Sequence, residues 1–210
     1  MDIVNPQVER YMRSLLERYD HPVLNEMEAQ AERRSFPAVG RMVGVTLELL
    51  ARSIGATRVF ELGSGFGYSA YWFARAAGGD GEIHCTDDDP TLVQQGKAFL
   101  AEAGLGSRVT WHLGDALGSF AETEGTFDVV FVDINKTEYP EAWRAASGRI
   151  RLGGLYIADN TIAAGNGNVF GEGDVADAMR EHNRLIAGDE RYISTIVPTR
   201  EGVLTALRIA

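Results

Sequence analysis

Two carboxylates and an amide are the residues in this sequence best suited to hold a cation. Asp133 closes the apolar run Phe127-Asp-Val-Val-Phe-Val132, and Asp159-Asn160 closes Gly154-Leu-Tyr-Ile-Ala158. Runs of this composition read as buried strands, and parallel strands project their carboxyl ends into one crevice, where the three side chains converge. Oxygen donors without His or Cys suit Mg2+, Mn2+ or Ca2+ better than zinc or copper. An octahedral ion there keeps positions for water and two substrate oxygens. Each residue alone reads equally well as a strand-end cap or turn former; the three together favour a cation site. Lys136, three residues beyond Asp133, points toward the same crevice. Taken alone it reads as a solvated charge. As a base near neutral pH it needs its pKa lowered from about 10.4, which nearby positive charge achieves.

A second group of residues suits a nucleoside. Glu61-Leu-Gly-Ser-Gly-Phe-Gly67 follows one strand and opens a helix, where Gly63, Gly65 and Gly67 let the backbone turn tightly and approach a ligand. A dinucleotide fingerprint needs its third glycine one place later, at Tyr68, so pyrophosphate binding is disfavoured. Asp87 ends the next strand, where a carboxylate accepts hydrogen bonds from ribose hydroxyls. The bland alternative is a tight turn plus a helix cap at Asp87-Asp-Asp89; the joint order of strand, loop, helix, strand and acid favours the nucleoside. Gly114-Asp115-Ala116 follows a third strand, at the place of an adenine edge or of an ordinary turn.

Positioning these groups requires a sheet with helices around it. Strands are expected near Arg58-Leu62, Glu82-Asp87, Arg108-Leu113, Phe127-Asp133, Gly154-Asp159, Tyr192-Pro198 and Gly202-Ile209. Helices are expected near Ser69-Ala77, Pro90-Ala103, Tyr139-Ile150 and Val175-Ala187, with another over Met42-Ile54. This alternation predicts an α/β fold, a Rossmann-like, mostly parallel sheet with helices on both faces. The link Thr199-Arg200-Glu201 is too short for a crossover, so the last two strands form an antiparallel hairpin. Residues 1–40 read as an N-terminal helical extension, broken at Asp20-His21-Pro22, of a single domain spanning 1–210.

With 210 residues and 45% hydrophobic content, one domain has ample core. A formal net charge of -10 argues against nucleic acid and anionic membranes as partners. The single cysteine, Cys85, fits a reducing compartment, and no stretch approaches the roughly 20 apolar residues of a membrane span. A soluble cytoplasmic protein is the expectation. His21, His84, His112 and His182 lack metal spacing, and Tyr139, Trp143 and Phe170 read as core or contact residues.

The segments Phe60-Glu-Leu-Gly-Ser-Gly-Phe-Gly-Tyr-Ser-Ala70, Val132-Asp-Ile-Asn-Lys136 and Gly153-Gly-Leu-Tyr-Ile-Ala-Asp-Asn160 together resemble the metal-dependent class I O-methyltransferases, the group of catechol and caffeoyl-CoA O-methyltransferases. The resemblance runs from about Val39 to the C-terminus. It implies a seven-stranded sheet, S-adenosylmethionine over the glycine loop, and Mg2+ (or Mn2+ or Ca2+) on Asp133, Asp159 and Asn160. It further implies that Glu61, Gly63 and Ser69 line the methionine end, Asp87 binds ribose, Asp115 and Ala116 edge the adenine, and Lys136 is the general base. The acceptor would be a small molecule, a vicinal-diol aromatic, and the assembly a homodimer. Ile134-Asn135 and the stretch Thr161 to Asp174 depart from the catechol enzymes. Two other readings remain beside this one: a nicotinamide-dependent oxidoreductase, disfavoured by Tyr68, and a non-catalytic nucleoside-binding module.

Overall fold

The computed structural model describes residues 5–165 and 167–210. Seven strands form one sheet: β1 (Arg58–Leu62), β2 (Glu82–Asp87), β3 (Val109–Leu113), β4 (Phe127–Val132), β5 (Ile150–Ala158), β8 (Tyr192–Val197) and β9 (Val203–Arg208). Their order is β3-β2-β1-β4-β5-β9-β8. The first five are parallel, β9 runs antiparallel to β5, and β8 pairs antiparallel with β9. The Rossmann-like expectation and the terminal hairpin both hold.

Side-chain alternation divides the core into two layers. Val59, Val129, Phe131, Leu155 and Ile157 face one layer, with α2 (Pro22–Arg34), α3 (Gly40–Ser53), α4 (Tyr68–Ala77) and α5 (Pro90–Glu102) packed upon it. Phe60, Leu62, Val130, Val132, Tyr156 and Ala158 face the other, under α6 (Ala116–Glu122), α7 (Tyr139–Ala146) and α8 (Asp174–Ala187). Helix starts follow local chemistry: Asn5 caps α1 (Pro6–Ser14), and Asp89 caps α5 through the Thr91 amide with Pro90 in the first turn.

Some boundaries differ from the sequence expectation. α6 is a helix where the sequence suggested none, only an adenine edge or a turn at Gly114-Asp115-Ala116; Asp115 caps it by accepting from the Gly118 amide, and Phe120 anchors it in the core. α7 ends at Ala146 because Ile150 already pairs with Phe127. β5 therefore starts earlier, and the ladder slips between Phe127 and Val129, where Gly153 adopts φ 75°. A two-strand ribbon, β6 (Ala163–Ala164) with β7 (Gly167–Asn168), arises where no strand was expected. Among the described residues, no helix is long and apolar enough to cross a membrane.

His182, on α8, is fully buried; its Nε2 lies 2.9 Å from the Tyr156 hydroxyl and its ring packs on Tyr139. Burial pushes its pKa down from 6.5 to about 4, with the Asn183 hydrogen bond opposing and the Lys136 charge adding to the fall. Between these values the unfolded chain binds the proton and the folded chain does not. Stability from this group is therefore present above pH 6.5 and lost as pH falls toward 4, by about 3 kcal/mol. Urea titrations of wild type and His182→Gln across that window should show the wild type losing more of its midpoint; parallel curves would rule the histidine out.

Candidate active site

The tips of β1, β4 and β5 lie side by side. The Asp133 amide donates to the Leu62 carbonyl at 2.9 Å and the Asp159 amide to the Val132 carbonyl at 3.1 Å. These bonds carry the parallel register one step past the strands and place Asp133 and Asp159 at the edge of a cleft of about 760 Å³. Gly63, Gly65, Ser69, Asp87, Lys136 and Asn160 line the same cleft. An adjoining 410 Å³ hollow, lined by Asp115 and Ala116, shares Gly63, Asp87 and Asp133 with it. The two regions picked out in the sequence thus border one continuous site.

Its charged centre is a short network. Lys136 Nζ donates to Asp133 Oδ1 at 2.8 Å and to the Tyr139 hydroxyl at 2.6 Å. Tyr139, with no exposed surface, donates its own hydroxyl hydrogen bond to the Asp159 carbonyl at 2.8 Å. Burial holds that phenol well above its ordinary pKa, so it stays a neutral donor. Sequence reading left Tyr139 as a core residue; it is the post that fixes Lys136. Its position three residues after Lys136, at the start of α7, was the available signal.

Asp159 is 3% exposed and its Oδ1 has no hydrogen-bond partner. Burial and then the Asp133 charge raise its pKa to about 7. Asn160, at φ 54°, donates its amide to Glu201 Oε2 at 2.5 Å, which leaves the carbonyl oxygen as its free end. Among the described residues no three His, Cys, Asp or Glu side chains are grouped to hold a metal. The donor set is two carboxylates and one amide oxygen. An orphaned buried carboxylate oxygen in such a set fits a hard divalent cation.

The glycine loop is tied to β2. The Gly63 amide donates to Thr86 Oγ1 at 2.9 Å, Ser64 to the Thr86 carbonyl at 2.8 Å, and Gly65 to Asp87 Oδ2 at 2.9 Å. Asp87 thus supports the loop as well as facing the cleft, and burial raises its pKa. A side chain at Gly63, φ 81°, would fall on the Asp133 carbonyl, and one at Gly65 on the Phe36 ring. Gly67 differs: its free side faces Leu100 and Trp111, so it serves helix packing and not the cleft. Glu61 is likewise absent from the cleft wall. It lies fully buried beneath the loop, accepting from Ser64 Oγ at 2.8 Å and Cys85 Sγ at 3.4 Å, with burial raising its pKa to about 7. Trp143 is core, packed on Tyr156 and Tyr192, and Phe170 is exposed.

A parallel sheet with a glycine loop after its first strand, an acid ending the second and an antiparallel terminal hairpin defines an S-adenosylmethionine-dependent methyltransferase. An O-methyltransferase family model matches residues 14–209, and the chain belongs to that family. A Mycobacterium tuberculosis protein named "Probable O-methyltransferase" is 33% identical over 174 residues, which cover 81% of this chain and 78% of that one. Among solved structures, a methyltransferase from Geobacter sulfurreducens superposes with TM-score 0.85 at 29% identity, covering 99% of this chain and 98% of its own. The O-methyltransferase TomG from Streptomyces achromogenes, involved in tomaymycin synthesis and solved in complex with S-adenosylmethionine, gives 0.85 at 27% identity, covering 97% and 96%. Membership in this enzyme family removes the oxidoreductase and non-catalytic readings.

Gly63→Ala should lower stability by about 2 kcal/mol or more, because a left-handed φ and a backbone clash act together. Thermal melts without ligand check this; a wild-type melting temperature would show that the strand tips can separate.

Proposed function

We propose that this O-methyltransferase transfers the S-adenosylmethionine methyl group to one hydroxyl of a small aromatic vicinal diol, with Mg2+, Mn2+ or Ca2+ held by Asp133, Asp159 and Asn160. The observation that carries the proposal is the unpartnered, buried Asp159 oxygen beside the Asp133–Lys136 pair in a cleft bordered by the glycine loop. When bound there, the ion would favour the ionised form of a chelated acceptor hydroxyl and fix its orientation.

The loop supports a place for the cofactor. Gly63 and Gly65 admit close backbone approach, Ser69 lies toward the methionine end, Asp87 receives the ribose hydroxyls, and Asp115 with Ala116 edges the adenine. Glu61 acts on this end from beneath the loop, through Ser64. α4 begins at Tyr68 after an N-cap glycine, Gly67, that supplies no side-chain cap, which leaves its first amides available to polar ligand groups.

Lys136 acts as the base. The acceptor oxygen attacks the sulfonium methyl, the carbon–sulfur bond breaks with its electron pair remaining on sulfur, and S-adenosylhomocysteine leaves. Lys136, an ammonium paired with Asp133 at rest, must first release its proton to solvent; its neutral amine then takes the hydroxyl proton, and the ammonium so restored is held by Asp133 and the Tyr139 oxygen at the distances given above. Holding donor and acceptor in line supplies much of the rate, on the order of 7–11 kcal/mol for well-positioned groups. Homodimerisation belongs to the same proposal and is supported by exposed Val8, Tyr11, Met12 and Leu15 on and just after α1. A cytoplasmic location is supported by the single free thiol of Cys85.

Three measurements test this. Labelled methyl transfer to a panel of catechols should depend on Mg2+ and disappear with EDTA; undiminished transfer in EDTA removes the metal. Lys136→Met should lower kcat by about 10²- to 10⁴-fold with S-adenosylhomocysteine affinity nearly unchanged; unchanged kcat removes the base. Tyr139→Phe should lower kcat by about 10-fold, the consequence of one lost charge-assisted bond to Lys136; a fall in cofactor affinity alone would contradict the positioning role.

A further inference from the structure

The cleft is unevenly charged. Asp87, Asp133, Asp159 and Glu201 line it, and among the described lining residues the only cations are Lys136 and Arg200. Lys136 is already paired with Asp133. Arg200 has no carboxylate partner among the described residues, and its side chain is nevertheless fixed. Its Nη1 donates to the Ala38 carbonyl at 2.7 Å and the Val39 carbonyl at 2.6 Å.

The backbone beneath it is also set. Arg200 adopts φ 49°, a left-handed conformation uncommon outside glycine, within a turn closed by the Gly202 amide on the Thr199 carbonyl at 2.9 Å. The Ile162 and Thr161 amides bind the Glu201 and Gly202 carbonyls, each at 2.9 Å. The guanidinium is therefore presented by a rigid hairpin tip. Two carbonyls occupy Nη1, and what remains is the edge formed by Nε–H and Nη2–H. Those two donors are parallel and match the two oxygens of a carboxylate. Neutral carbonyls do not cancel the charge, so Arg200 offers a cation with no carboxylate partner at the wall of the cleft.

Its place assigns the edge to the acceptor end. The next residue, Glu201, accepts the Asn160 amide, and the Arg200 charge is felt at Asp159. No hydrogen bond joins Arg200 to the glycine loop or Asp87, where the cofactor belongs.

We propose that Arg200 is a specificity-determining residue whose Nε–Nη2 edge binds the carboxylate of the acceptor, making the substrate class hydroxylated aromatic acids in preference to neutral phenols. This rests on the methyl-transfer reading above and names the acceptor within it.

The probes are 3,4-dihydroxybenzoate and its neutral isostere 3,4-dihydroxybenzamide, used with the full chain, Mg2+ and S-adenosylmethionine. The ratio of kcat/KM, acid over amide, should be at least about 10 in wild type and fall to near 1 in Arg200→Gln, as expected for one lost charge-assisted fork. Arg200→Lys should restore part of the preference. Calorimetry on the S-adenosylhomocysteine complex provides a readout without turnover: benzoate should bind more tightly than benzamide, and Arg200→Gln should abolish the difference. A wild type that treats the two alike overturns the proposal. So does a Gln variant in which both acceptors suffer equally while S-adenosylhomocysteine affinity falls, since Arg200 would then clamp residues 38–39 or serve the cofactor's own carboxylate. If neither compound is methylated but the Arg200-dependent binding difference persists, the anchor stands and the acceptor chemistry of the preceding section fails. If neither is methylated and neither binds, the anchor is overturned as well.

Discussion

A carboxylate buried at a strand tip with one oxygen unpartnered is the constraint on which the rest of this structure depends. Placing Asp159 there is costly, because a desolvated charge close to the like charge of Asp133 favours the protonated form. The surroundings offset that cost in specific ways. Lys136 pairs with Asp133, Tyr139 satisfies the Asp159 carbonyl, and Glu201 orients the adjoining amide of Asn160. The cation proposed above would lie between the two acids and meet the remaining open oxygen of Asp159.

The elements around that point are arranged to keep it rigid. β1, β4 and β5 are the central strands of the sheet, and their register continues into the Asp133 and Asp159 amides. Positions that point to the sheet faces are filled by buried apolar side chains, so the tips have little freedom to shift. The antiparallel hairpin of β8 and β9 then folds its turn back over residues 161–163 and supplies Glu201 and Arg200 to the cleft. The strand pair farthest along the chain thereby completes a site whose glycine loop enters the cleft at residue 63.

The N-terminal extension contributes in the same manner. Phe36 packs against Phe66 with ring centroids 4.9 Å apart and fills the space that a side chain at Gly65 would need. Glu28, on α2, accepts from the Tyr68 hydroxyl and is bound by Arg41 on α3, so the extension is tied to the first turn of α4. Arg200 links the connection between α2 and α3 to the hairpin. Beneath the loop, Glu61 is a second buried acid with a raised pKa. As at Asp159, burial is the first cause and the Asp133 charge adds to it, while the Ser64, Ser69 and Cys85 side chains favour the ionised form of Glu61 without outweighing it.

Much of the site was legible in the residues themselves. Glycines at 63 and 65, acids at 87, 133 and 159, and Lys136 at three residues from Asp133 carry their chemistry in residue type and spacing, because strand ends and glycine turns impose position directly. The alternation of apolar runs with helical stretches likewise announced the parallel sheet, since a strand buried on both faces has a composition that few other elements share. What the chain alone did not reveal depends on contacts distant in sequence. α6 is brief and contains Gly118, so propensity hides it and Phe120 burial decides it. Gly67 and Glu61 belong to the motif, yet packing against Trp111 and burial beside Cys85 turn them away from the cleft. Tyr139 as the support of Lys136, and Arg200 as a pocket cation, emerged only when α7 and the terminal hairpin were folded against the β4 and β5 tips. A side chain's neighbours, not its type, determine whether its polar atom faces a ligand, a carbonyl or the core.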